Sequence, residues 1–126
     1  MKKRSRVLLI IFLLCSAKSA WATPAANIKL AYDFKKGELL LEADHVSNSL
    51  QNHYIHTMTI YENNEAPQLI YFTRQAKPSK FTADVPLAVQ PGDAIRVVLQ
   101  CIKGGTSEET LVVPVAPGQP PIKKSH

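Results

Sequence analysis

Apolar and polar residues alternate through most of this chain. Leu39, Leu41 and Ala43 interleave with Leu40, Glu42 and Asp44, the two-residue period of a half-buried strand. Ile95, Val97, Leu99 and Cys101 share one face of a second run, and Arg96, Val98 and Gln100 share the other. Ile28 to Asp33, His53 to Glu62, Gln68 to Thr73, Lys80 to Val85 and Thr110 to Val115 complete the set of predicted strands. Turn signals separate them: Lys36-Gly37, Asn63-Asn64, Pro91-Gly92-Asp93 and Gly104-Gly105. No segment carries a sustained helical period. The pattern predicts an all-β fold, an immunoglobulin-like antiparallel β-sandwich of about seven strands. In the His53 to Glu62 strand, Tyr54, His56, Met58 and Ile60 form the more apolar face and are expected to point inward, with His53, Ile55, Thr57 and Thr59 opposite.

The N-terminus breaks this pattern. Lys2, Lys3, Arg4 and Arg6 precede an unbroken apolar run from Val7 to Cys15, and Ala20-Trp21-Ala22 follows. This reads as a signal peptide over residues 1–22, cleaved after Ala22, of a periplasmic or secreted protein. The apolar run is short for a retained anchor. Leu13 and Leu14 before Cys15 argue against lipidation at that cysteine. Cleavage changes the charge. The whole chain is +5, but the leader takes five cations (Lys2, Lys3, Arg4, Arg6, Lys18) and no anions. The remainder keeps ten Lys and Arg against ten Asp and Glu. A neutral mature chain gives no reason to expect nucleic acid or an anionic membrane as partner. Residues 23–117 suffice for one domain, and residues 118–126 form a Pro- and Lys-containing tail expected to be disordered.

Cys101 is the one cysteine after the leader, so no disulfide can form within the mature chain. In an oxidising compartment a lone thiol is buried, paired with another chain or bound to a metal. His45 closes the second predicted strand and His53 opens the third, and the short loop from Val46 to Asn52 places both imidazoles at one end of the sandwich. Imidazole with thiolate is a donor set for a soft or borderline transition metal. Taken singly, each histidine also reads as an ordinary polar loop residue and the cysteine as a small buried hydrophobe. His56 reads as a packing histidine. Asp44 is placed either to orient His45 or, as a strand-end acid, in solvent. Glu108-Glu109 reads as a solvated hairpin tip. Neither a Gly-x-Ser-x-Gly elbow nor a phosphate-binding glycine loop is present.

His45, then His53-Tyr54-Ile55, then an apolar strand, a Pro-Gly-Asp turn and Cys101 before a glycine-bearing loop resemble the iron-binding domain of superoxide reductases, the desulfoferrodoxin family. The resemblance spans roughly residues 28 to 115. It implies an immunoglobulin-like sandwich, with iron held by four equatorial imidazoles and an axial thiolate. It also implies superoxide, and an electron donor in the periplasm, as partners. Carried across, His45 and His53 would be equatorial ligands and Cys101 the axial one. The family's late Cys-Asn-x-His stretch is Cys101-Ile102-Lys103-Gly104 here, and no histidine occurs between Thr23 and Asp44. Three of the five ligands therefore have counterparts. Two readings follow: an exported relative binding iron, copper or zinc through His45, His53 and Cys101, or a non-catalytic binding module whose metal site has decayed. A third, the small carrier proteins of periplasmic sulfur oxidation, would need the cysteine on a glycine-rich tail, whereas Cys101 ends a strand.

Overall fold

A computed structural model describes residues 24–63, 65–116 and Gly118. The expected leader with Cys15, residue Asn64, Pro117 and the tail from 119 to His126 lie outside the described residues. Seven strands occur in chain order: β1 (Ala26–Asp33), β2 (Glu38–Asp44), β3 (Ile55–Glu62), β4 (Gln68–Tyr71), β5 (Lys80–Pro86), β6 (Ala94–Cys101) and β7 (Thr106–Val112). One sheet has the order β1-β2-β5 and the other β4-β3-β6-β7, with every pairing antiparallel. The chain changes sheet between β2 and β3, between β4 and β5, and between β5 and β6. The described residues contain no helix. The expected all-β architecture is what the described residues form, seven strands in two antiparallel sheets.

Alternation sets the core. Leu39, Leu41 and Ala43 of β2 and Phe81 and Val85 of β5 meet Ile55, Met58 and Ile60 of β3 and Ile95, Val97, Leu99 and Cys101 of β6 in one buried cluster. Burying a residue such as Leu39 or Ile95 contributes about 1.5–3 kcal/mol. β1 and β7 are outer strands, and the Ser107 hydroxyl donates to the Ala25 carbonyl at 2.5 Å where their beginnings meet. At the β3–β4 turn, Asn63 adopts a left-handed φ of 51°, as its short polar side chain permits. Its carbonyl oxygen Oδ1 accepts the Ala94 N–H at 3.0 Å.

Three expectations need correction. The inward face of β3 is not the continuous set Tyr54, His56, Met58, Ile60. Met58 lies opposite Leu99 and Thr57 opposite Gln100, so a regular ladder would set His56 against Cys101; the register slips and Ile55 stands there instead. A one-residue slip exchanges the two faces of a strand. Ile55 therefore enters the core, and His56 is turned out against the Tyr54 and Tyr71 rings, with centroids 6.5 and 5.7 Å away. β3 accordingly begins at Ile55 rather than His53. Finally, β7 begins at Thr106 rather than Thr110, which puts Glu108 and Glu109 inside an edge strand instead of at a hairpin tip. Arg96 on β6 reaches Glu108 at 3.0 Å. Charged edge strands escape the alternation test because little of them is buried.

Candidate metal centre

Strand direction brings the expected residues to one end. β2 ends at Asp44 and β6 at Cys101, and β3 starts there in the opposite sense, so the loops 45–54, 72–79 and 102–105 share that end. Backbone hydrogen bonds tie them together. The His45 and Ser47 N–H groups donate to the Ser79 and Pro78 carbonyls at 3.1 and 2.7 Å. The Gln75 N–H donates to the Leu50 carbonyl at 2.9 Å, and the Ile102 N–H to the Tyr54 carbonyl at 3.1 Å. Within the first loop the His53 N–H donates to the Ser49 carbonyl at 2.7 Å, and the buried Ser47 hydroxyl donates to the His53 carbonyl. His53 is thus held by its backbone although it lies outside the sheet.

One ligating atom from each of His45, His53 and Cys101 lies within 4.8 Å of the other two. His45 and Cys101 are buried, at 2% and 3% exposure, and His53 is half-buried. The two imidazoles meet edge to face, with centroids 4.9 Å apart and planes at 77°. Three donors around one tetrahedral ion would stand roughly 3.3–3.6 Å apart at ordinary zinc–nitrogen and zinc–sulfur bond lengths. The donor atoms lie within 4.8 Å of one another, so an ion would have to draw the three side chains together by rotation about their side-chain bonds.

Electrostatics favours a neutral His53. Burial, then the neighbouring His45 and Lys103, holds the His53 imidazole below its ordinary range. A neutral imidazole is the form that binds metal. Lys103 comes from the loop after Cys101 and is exposed. Because its charge acts on His53, it is a cation beside the cluster that strand reading does not place there.

Gln75 is the site residue that sequence reasoning misses. It is 1% exposed and lies between β4 and β5. Its amide nitrogen donates to the His45 carbonyl at 2.8 Å and the Lys77 carbonyl at 2.7 Å. Its Oε1 lies 2.7 Å from His45 Nδ1. Asp44, the sequence's candidate for orienting His45, is engaged elsewhere: Asn27 Nδ2 donates to it at 2.8 Å and Lys80 lies 3.8 Å away. His45 Nε2 is buried with no hydrogen-bond partner among the described residues. A buried unpaired polar atom costs about 1–3 kcal/mol, and one on a histidine that clusters with a second imidazole and a thiol is chemically suited to a metal.

The remaining expected ligand positions are not assembled. His56 is not part of the cluster. Gly104 stands where the resemblance would place a histidine. Its φ is +103°, and the space a Cβ would occupy there is open. Backbone conformation, not crowding, therefore makes glycine the suitable residue at 104. Gly105, at φ +93°, has both reasons, since a Cβ there would meet the Pro24 nitrogen at 3.0 Å. The Cys101 N–H donates to the Gly105 carbonyl at 3.1 Å and the Gly104 N–H to the Cys101 carbonyl at 3.0 Å, which closes the turn beneath the thiol.

No protein-family model matches this chain, and no curated protein matches it. The resemblance to superoxide reductases therefore has no match behind it and rests on the sequence features named above, from His45 and His53-Tyr54-Ile55 to the Pro-Gly-Asp turn and Cys101.

Proposed function

We propose that this chain is an exported metal-binding β-sandwich domain, holding one soft or borderline ion through His45, His53 and Cys101. The observation that carries the reading is the cluster of His45, His53 and Cys101, one ligating atom from each within 4.8 Å of the other two, and it is joined by the buried His45 Nε2 that has no hydrogen-bond partner among the described residues. Two imidazoles and a thiolate with no carboxylate in the set favour copper(I), which accepts soft donors, and next zinc(II). Iron in the arrangement implied by the resemblance needs two further imidazoles. His56 faces two tyrosine rings, and position 104 is a glycine of positive φ. The donor set thus supports holding an ion over reducing superoxide.

The protein's own residues divide the work. Cys101 and His45 supply buried donors, while half-buried His53 supplies the donor nearest solvent and with it a way in for the ion. The bound ion would contribute Lewis-acid or one-electron chemistry according to its identity. The test is elemental analysis of the full chain exported to a periplasm, beside Cys101→Ser. Near-stoichiometric copper or zinc, lost in the variant, is expected. Near-stoichiometric iron would restore the reading drawn from the resemblance. No metal in either protein, with equal thermal stability, would overturn the proposal in favour of a non-catalytic binding module.

A further inference from the structure

We infer that Gln75 is the positioning residue of this site: its amide locks the His45 ring so that Nε2, and not Nδ1, is presented to the ion. The inference rests on the metal reading above and adds a residue and an atom to it. Both amide hydrogens of Gln75 are committed, to the His45 carbonyl at 2.8 Å and the Lys77 carbonyl at 2.7 Å. Turning the amide over would set its oxygen against two carbonyl oxygens, so the network admits one orientation. That orientation directs Oε1 at His45 Nδ1 across 2.7 Å. An amide oxygen only accepts, so Nδ1 carries the hydrogen and donates it. The lone pair is left on Nε2, the atom that is buried without a partner among the described residues.

The clamp has no slack. Gln75 is fully enclosed, and its own N–H donates to the Leu50 carbonyl at 2.9 Å. Its side chain and backbone thereby bridge the loop carrying His45 and His53 to the loop entering β5. A histidine ligand whose other nitrogen is held by an acceptor is fixed in tautomer and ring orientation. Gln75 so prepares the site before any ion arrives, from a loop whose sequence, Thr73-Arg74-Gln75-Ala76-Lys77, has no metal-ligand character.

The test combines a measurement that needs no variant with one substitution. Long-range nitrogen–proton NMR on metal-free wild-type protein should find the His45 proton on Nδ1; a proton on Nε2 would overturn the inference. Titration with zinc(II) and with copper(I) should then show Gln75→Leu, which keeps bulk but has no acceptor, binding about 10–100-fold more weakly than wild type. In metal-free Gln75→Leu the His45 proton should no longer be held on Nδ1, a change the same NMR measurement reads directly. Thermal unfolding of the metal-free variant separates this from a merely structural role, since a structural residue would lower stability without moving the His45 proton. A folded Gln75→Leu protein that binds both ions as tightly as wild type would overturn the inference. If wild type binds neither ion, the metal reading fails and the metal role of Gln75 fails with it. The position of the His45 proton still decides whether the clamp exists.

Discussion

The two ends of this sandwich close in opposite ways. At the end where β2 and β6 finish, the interior is polar: His45, Ser47, Gln75 and Cys101 are all buried, and side chain-to-backbone bonds cross between loops. At the other end, Tyr32 and Phe34 pack edge to face with centroids 4.9 Å apart, beside a groove of about 650 Å³ lined also by Leu40, Pro114 and Val115. There the Tyr32 hydroxyl donates to the Leu87 carbonyl at 2.5 Å, and the Asp33 carboxylate caps the β1–β2 turn by accepting the Lys35 N–H at 2.9 Å. The apolar end is held mainly by burial, with the Tyr32 hydroxyl and the Asp33 carboxylate each engaging the backbone. The polar end must satisfy every group it hides, because a buried polar group without a partner is costly. Among the described residues one buried side-chain atom is left over, His45 Nε2, and that exception is the reason to look for an ion there.

The contrast can be tested from both sides. The largest effect is expected at the apolar layer. Leu39, fully buried toward that end, should cost about 2–5 kcal/mol on replacement by alanine, read by chemical denaturation, with stoichiometric metal uptake retained by the folded fraction. Metal loading comes next. If the polar end is a site, an ion at about 100 times its dissociation constant should stabilise the fold by about 2.7 kcal/mol, and a chelator should reverse this. Leu39→Ala should keep the increment and Cys101→Ser should lose it.

Gly105→Ala sharpens the comparison within the polar end. Its φ of +93° and the 3.0 Å approach to the Pro24 nitrogen predict a loss of about 1–3 kcal/mol and weaker metal binding, because the strained turn carries Cys101. Gly104→Ala should cost only the conformational part of that loss, since nothing stands near its Cβ position.

The smallest effect is pH dependence without metal. The His53 imidazole is held below its ordinary value of 6.5 by burial and then by His45 and Lys103. The folded state therefore binds a proton less readily than the unfolded chain. The stabilising contribution is complete above 6.5 and is lost as pH falls through the lower folded-state value. Denaturation midpoints should decline over that interval, and the decline should shrink in His53→Ala.

Much of the fold is legible in the chain, and the reasons are specific. β2 and β6 alternate cleanly because each buries one whole face, so the pattern alone puts Cys101 on the inner side of a strand end. The loop between His45 and His53 is short, which suffices to bring the two imidazoles together. The β3 faces are not legible, because hydrophobic alternation assumes an unbroken register and the slip between Ile55 and Thr57 leaves no mark in composition. The start of β7 is hidden because an edge strand bearing Glu108 and Glu109 buries little. Gln75 is invisible for another reason. A glutamine in a polar loop looks like solvent-exposed chain until the fold encloses it, and the carbonyls it serves belong to residues 45 and 77.

The most direct test of the central claim is X-ray absorption on protein loaded with one equivalent of copper(I) or zinc(II). A metal bound by one sulfur and two imidazole nitrogens, with the sulfur lost in Cys101→Ser, is the predicted result. A metal coordinated by nitrogen and oxygen alone, with a spectrum unchanged in Cys101→Ser, would contradict it.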